Sequence, residues 1–284
     1  MLTNHLYKKL SVSYSNYDIK KAISFFNISL NLLVIINILH LLEDVKYLFT
    51  IHSPIKEQFL LIFNQKDILN VVTISHYLSM SIYDLLNACM ISIIVMNVLS
   101  IIIPKNWKPL PLIISFLLYQ MFFRTYTEFY VYGYDSYVLM SYVYLILLFS
   151  FKNKISEVLF FNVFRFHVSI SYLISGMTKI FGFNWWNGES IWKAIHLYYL
   201  SNSDFWVYYD KIPAYFFIIS GWIVIIVQIS MPLLLIYGLR KYTIILLYLN
   251  LLIHSFIGIF LKLPFFASVM IIWNVTAFYF HNKL

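Results

Sequence analysis

The sequence predicts an all-α integral membrane protein, a polytopic bundle of about eight transmembrane helices with both termini in the cytoplasm. Three observations carry this reading. Of 284 residues 61% are apolar and only 11% are charged, and the mean hydropathy is +0.78, far from the balance of a water-soluble domain. Apolar runs near or above ~20 residues, the length that crosses a hydrocarbon core of about 30 Å, alternate with short polar breaks. Basic residues gather on every second break. A β-barrel is excluded because runs such as IIVQISMPLLLIYGL do not alternate.

The spans fall at roughly 22–42, 84–103, 109–130, 136–151, 157–180, 213–239, 242–261 and 264–280. Pro104 to Pro109, Gly133 to Ser136, Lys152 to Lys154, Gly238 to Lys241 and Lys262 to Pro264 punctuate them. The polar first twenty residues lack a small-residue cleavage site, so the first span is expected to stay as an uncleaved anchor. With the N-terminus inside, the cytoplasmic segments hold eleven Lys and Arg against Asp18 and Glu157, and the opposite side holds six against nine acids. The net charge of +8 is thus a matter of topology, and no basic stripe interleaved with aromatics suggests a nucleic-acid partner. Residues 1–284 read as one domain with no internal repeat. Of the two long outer segments, 43–83 and 181–212, the second is rich in Trp and Tyr, and residues 187–200 are expected to form a short interfacial helix.

Cysteine is represented by Cys89 alone, in an apolar run, so no internal disulfide and no cysteine-based metal cluster is expected. No GxSxG, HExxH, CxxC, P-loop or dinucleotide fingerprint is present, and no metal site is expected.

Several polar residues remain at or near membrane depth, where a charge costs a few kcal/mol or more and needs a partner, a cavity or an escape to the surface. Arg124 and Glu128, four apart, share a helical face as a candidate ion pair. Arg165 lies near the inner half of the fifth span, close enough to snorkel. Lys179 follows it by fourteen residues, about 21 Å of helix, on nearly the same face, with Tyr172 and Gly176 between them. Gly176 would let a neighbouring helix or a substrate approach closely. Two readings of Lys179 stand open: a snorkelling anchor, or a partly desolvated amine able to act as a base. Ser175 precedes it by four residues, so a Ser–Lys dyad could form on one face. His167 projects away from Arg165. His254 reads as an interhelical hydrogen-bond partner, and Gln228 as a polar contact beside the Pro232 kink.

The stretch RFHVSISYLISGMTKIFGFNWWNG, residues 165–188, resembles the fifth-span region of the vitamin K-dependent γ-carboxylase superfamily, also described as the horizontally transferred transmembrane domain. The matching residues are Arg165, Tyr172, Ser175, Gly176, Lys179, Trp185 and Gly188, and WIVIIVQISMPLLLIYGLRK and HSFIGIF with PFFASVM look like later helices of that family. The resemblance implies that Lys179 occupies the position of the carboxylase base, which takes a proton from a reduced quinone of the vitamin K type. It implies that His254 is a further candidate catalytic residue. It also makes Asp135, before Ser136 and Tyr137, a candidate catalytic residue at the position where carboxylases carry a His with a stabilising role. The large soluble domain that follows in carboxylases is not expected here. Small bacterial members include the membrane component of the sporulation-delaying toxin system, which matures a secreted peptide. That likeness implies a secreted peptide or protein substrate, accessory proteins of a maturation operon as partners beside the lipid bilayer, and a bacterial cell membrane. The Lys-, Ile- and Asn-rich composition of an AT-rich genome agrees with a bacterial source. The alternative function is quinone-linked, carboxylase- or epoxidase-like chemistry with Lys179 as base.

Overall fold

The computed structural model describes residues 19–49, 71–126, 133–150, 154–196, 206–235 and 240–281. Among these, every regular element is helical: α1 (Ile19–Phe49), α2 (Val71–Leu78), α3 (Ile82–Ile102), α4 (Pro109–Tyr126), α5 (Tyr134–Ser150), α6 (Lys154–Phe181), α7 (Phe183–Trp186), α8 (Glu189–His196), α9 (Trp206–Tyr209), α10 (Ala214–Ser230), α11 (Arg240–Phe260) and α12 (Pro264–Phe278). Four stretches of the described residues are long and apolar enough to cross a membrane: Ile19–Leu42, Ile82–Ile102, Ser156–Phe181 and Ala214–Leu235. Tyr134–Ser150, Ile244–Phe260 and Pro264–Phe278 are apolar but shorter. Glu128 lies outside the described residues, as does the side chain of Arg124, so their expected pairing has no structural account.

Two ends differ from the sequence reading for local reasons. The first helix was expected to stop near residue 42 but runs on to Phe49, because Glu43, Asp44, Val45 and Lys46 are all compatible with a helix and neither Gly nor Pro intervenes before Pro54. The span expected at 213–239 changes its winding: α10 ends at Ser230 and Met231–Leu235 is a 3₁₀ segment. Pro232 has no N–H to give the α-helical ladder, so the tighter turn takes over there.

The chain divides into two compact packing units, one drawn from Met1–Phe26 and Asn153–Leu284, the other from Asn27–Lys152. In the second unit α4 packs between α3 and α5. Its interior is joined by polar side chains: Tyr142 Oη donates to Asn97 Oδ1 at 3.0 Å, and Asn97 Nδ2 donates to the Ile93 carbonyl at 2.7 Å and to Ser115 Oγ at 3.3 Å. Lys108, in the break after α3, donates its amine to the carbonyls of Ser100 at 2.6 Å and Ile101 at 3.1 Å, meeting acceptors that the end of α3 leaves open. Cys89 is buried there as a small apolar side chain.

In the other unit α6 is the central element. It packs along α10 and also meets α12, while α11 packs on α12 and the 3₁₀ segment lies against both α6 and α11. The buried stripe of α6 runs through Phe161, Phe164, Arg165, Val168, Ser169 and Tyr172, whereas Leu159, Val163, Phe166, Ile174 and Met177 point outward. The helix therefore buries Arg165, Ser169 and Tyr172 and turns mostly apolar residues outward, the reverse of a surface helix in water. On α11 the same inversion buries Asn250 and His254 and exposes Ile245, Leu252 and Ile259.

The outward face of α10 gives a direct test. Ile223 is 46% exposed at mid-helix, so Ile223→Lys should cost membrane insertion about 2.5–3.5 kcal/mol and lower abundance in the membrane fraction, while Ile223→Ala leaves it near wild type. Equal membrane abundance of the two variants would mean that this face does not meet lipid.

Candidate functional site

Lys179 sits in the last turn of α6, where a snorkelling side chain would extend outward past the helix end. Its amine turns the other way. Lys179 Nζ donates to Ser175 Oγ at 2.7 Å and to the Ser175 carbonyl at 3.2 Å, one turn back into the helix, and it lies 4.9 Å from the centre of the Trp185 ring. The expected Ser–Lys contact is formed, and the ring face adds a cation–π contact of about 0.5–2 kcal/mol.

The chain beyond α6 is what brings Trp185 back. Gly182 ends the helix and the single turn α7 follows, with Trp186 Nε1 donating to the Ile180 carbonyl at 2.6 Å and its ring set edge-on to Trp222 at 4.2 Å. Gly188 then closes the turn with φ +78°, and a Cβ there would stand 2.6 Å from the Ile218 nitrogen and from the Phe217 carbonyl carbon. Only glycine meets both conditions. Gly176 answers a different demand: a Cβ on it would lie 2.7 Å from Ile229 Cγ1 and 3.2 Å from Gln228 Cβ, so α10 approaches α6 as closely as the sequence reading expected. That approach buries Gln228, whose Oε1 has no hydrogen-bond partner.

One turn deeper than Gly176 lies a hydrogen-bonded group that joins three helices. Tyr172 Oη is 2.6 Å from His254 Nε2, Asn274 Nδ2 donates to Tyr172 Oη at 2.6 Å, and Asn250 Nδ2 donates to Asn274 Oδ1 at 3.0 Å. The positive charge of Lys179 acts on the His254 imidazole. Lys179, Ser175, Tyr172, Gly176, His254 and Gln228 thus belong to one unit and converge between α6, α10, α11 and α12. Sequence reasoning named His254 and Tyr172 but missed Asn250 and Asn274. The signal was present in the spacing, since Asn250 stands four residues before His254 in an otherwise apolar run, and buried amides in such runs require partners.

Arg165, on the same stripe, is 6% exposed and does not snorkel. Its Nη2 donates to the Leu234 carbonyl at 3.2 Å and its guanidinium lies 5.9 Å from the Phe278 ring centre. The 3₁₀ segment Met231–Leu235, which includes Pro232, supplies this acceptor. His167, off that stripe, packs its ring against Trp273 at 5.7 Å. Asp135 belongs to the other unit, where its Oδ1 accepts from Tyr119 Oη at 2.6 Å.

Past Gly188, α8 forms within the expected interfacial stretch and ends at His196. His196 Nε2 meets Asp210 Oδ1 at 2.9 Å and stacks on Trp192 at 4.3 Å. An open pocket of about 250 Å³ lies here, with Glu189, Trp192, Tyr209, Asp210 and Phe217 in its wall. The Glu189 carboxyl is held below its usual range by hydrogen bonds from Lys193 first and Asn187 second. The site therefore has two parts, a half-buried amine beside Trp185 with the buried imidazole of α11 in the same packing unit, and an open pocket beyond Gly188.

Gly188→Ala is expected to lower stability by roughly 2–4 kcal/mol, adding left-handed backbone strain to a backbone collision. Gly182→Ala, whose Cβ would press on Trp185 Cδ1 at 3.2 Å and otherwise make ordinary contacts with the Lys179 and Thr178 carbonyls, should cost about 1 kcal/mol or less. Thermal unfolding in detergent compares the two, and equal losses would contradict the turn geometry.

No family model, no curated protein and no solved structure matches this chain, so the resemblance rests on its motif residues.

Proposed function

We propose that this chain is a multi-pass protein of a bacterial cell membrane, with eight spans and both termini in the cytoplasm, that modifies, matures or helps export a secreted peptide at an outer-face site around Lys179. The observation that carries the proposal is the direction of the Lys179 side chain. An amine wanted only as an anchor gains most by reaching water, and this one bends back to Ser175 beneath the Trp185 ring. The neighbouring pocket beyond Gly188 is open and aromatic, which suits a peptide segment presented from outside. The γ-carboxylase-like motif of residues 165–188 and the charge bias of the loops support the same placement.

The inward amine also favours a second reading, quinone-linked base chemistry of the carboxylase or epoxidase kind. A reduced quinone fits the residues present, since Lys179 and the unmet Nδ1 of His254 are polar groups for its oxygens and Trp185 is a flat wall; when bound, such a group supplies an acidic hydroxyl. Both readings need Lys179, and they differ in whether it must release a proton.

Lys179→Ala and Lys179→Arg separate them when peptide product and membrane abundance are measured together. A site that uses the amine predicts at least a tenfold loss of product for Lys179→Ala at normal abundance, a change in barrier of about 1.4 kcal/mol. Full activity in Lys179→Arg would end the base chemistry, because a guanidinium keeps its proton in proteins. Loss of abundance alone in both variants would leave Lys179 as a structural charge and overturn the proposal.

A further inference from the structure

The hydrogen bonds around Tyr172 have a direction that is fixed from one end. A backbone carbonyl can only accept, so the Asn274 atom 2.7 Å from the Met270 carbonyl is the amino nitrogen Nδ2. The same orientation lets Asn274 Oδ1 accept from Asn250 Nδ2, and it directs the second Nδ2 proton at Tyr172 Oη. An oxygen that accepts from Asn274 is left to give its own proton to the partner on its other side, His254 Nε2, at 2.6 Å. An imidazole that accepts at Nε2 carries its hydrogen on Nδ1. His254 Nδ1 is buried with no hydrogen-bond partner, in a residue only 3% exposed. Such a donor, unused by the network itself, is open to an acceptor brought beside it.

We propose that Asn274 and Tyr172 are positioning residues that hold His254 in its Nδ1–H tautomer, so that the imidazole offers one buried donor to an acceptor oxygen of the molecule handled beside Lys179. The use of that donor rests on the Lys179 site proposed above, whereas the tautomer itself depends only on the relay from the Met270 carbonyl through Asn274 and Tyr172. Each member has a defined part. Asn274 sets the direction, Tyr172 passes it on, and Asn250 keeps the Asn274 amide from flipping by occupying its oxygen.

Nitrogen-15 NMR of full-length, histidine-labelled protein in lipid nanodiscs tests this, with the His254 signals identified by their loss in His254→Gln. The wild type should show a protonated nitrogen at Nδ1 and an unprotonated one at Nε2. Tyr172→Phe removes the donor to Nε2 and should shift population to the Nε2–H form. Asn274→Asp, isosteric but an acceptor when ionised, should turn the relay round and favour the same form. A wild-type spectrum with the hydrogen on Nε2 overturns the proposal, as does a folded Tyr172→Phe protein whose tautomer is unchanged; if both variants fail to fold, the wild-type spectrum alone decides. The measurement needs no substrate, so failure of the Lys179 site would show in the activity of Lys179→Ala and failure of the relay in the His254 spectrum.

Discussion

A polar side chain in hydrocarbon has no water to turn to, and the described helices meet that constraint by turning apolar residues outward and burying polar ones. Leu32, Ile91, Val163, Ile223 and Leu252 point outward, whereas Asn31, Asn97, Ser115, Arg165, Asn250, His254 and Asn274 are buried. The helices are held together by packed apolar and small residues, with side-chain hydrogen bonds added between them. Such bonds average near 0.6 kcal/mol each in membrane proteins, so the network around Tyr172 matters for orientation more than for stability.

Around α6 these demands meet in one place. Gly176 admits α10 to close contact at Gln228 and Ile229, and Pro232 stands one turn later, where α10 gives way to the 3₁₀ segment. The 3₁₀ segment that follows gives Arg165 a carbonyl and so lets a guanidinium stay buried. Toward the other end of α6 the chain turns sharply at Gly182 and Gly188, and the turn lays Trp185 against the Lys179 amine. A helix end that would otherwise release its lysine to the surface is capped by an aromatic ring, and the amine is directed toward Ser175.

Hydrogen-bond donors and acceptors differ in one respect that matters for chemistry: a carbonyl never donates. One fixed acceptor at Met270 therefore propagates through two side chains and determines which nitrogen of a histidine carries hydrogen. Asparagine is suited to this task because its amide both gives and receives, while a leucine of similar size would hold the helices without giving them direction.

The sequence by itself determined the helical class, the positions of the apolar runs and the residues that do not belong in lipid, because hydrophobic length and misplaced charge are properties of the chain alone. It also marked Gly176, Lys179, Trp185 and Gly188 through their motif, and it placed Ser175 one turn from Lys179. Only the tertiary structure decided which way Lys179 points, since an amine near a helix end has two escapes and the choice depends on where Trp185 returns. It alone showed Arg165 buried on the Leu234 carbonyl, and it joined Asn274 to Tyr172 across 102 residues of chain. Asp135 and His254, which the family likeness set side by side as site residues, fall in separate packing units. Side-chain direction and hydrogen-bond partners between distant helices depend on packing, and no spacing within one helix encodes them.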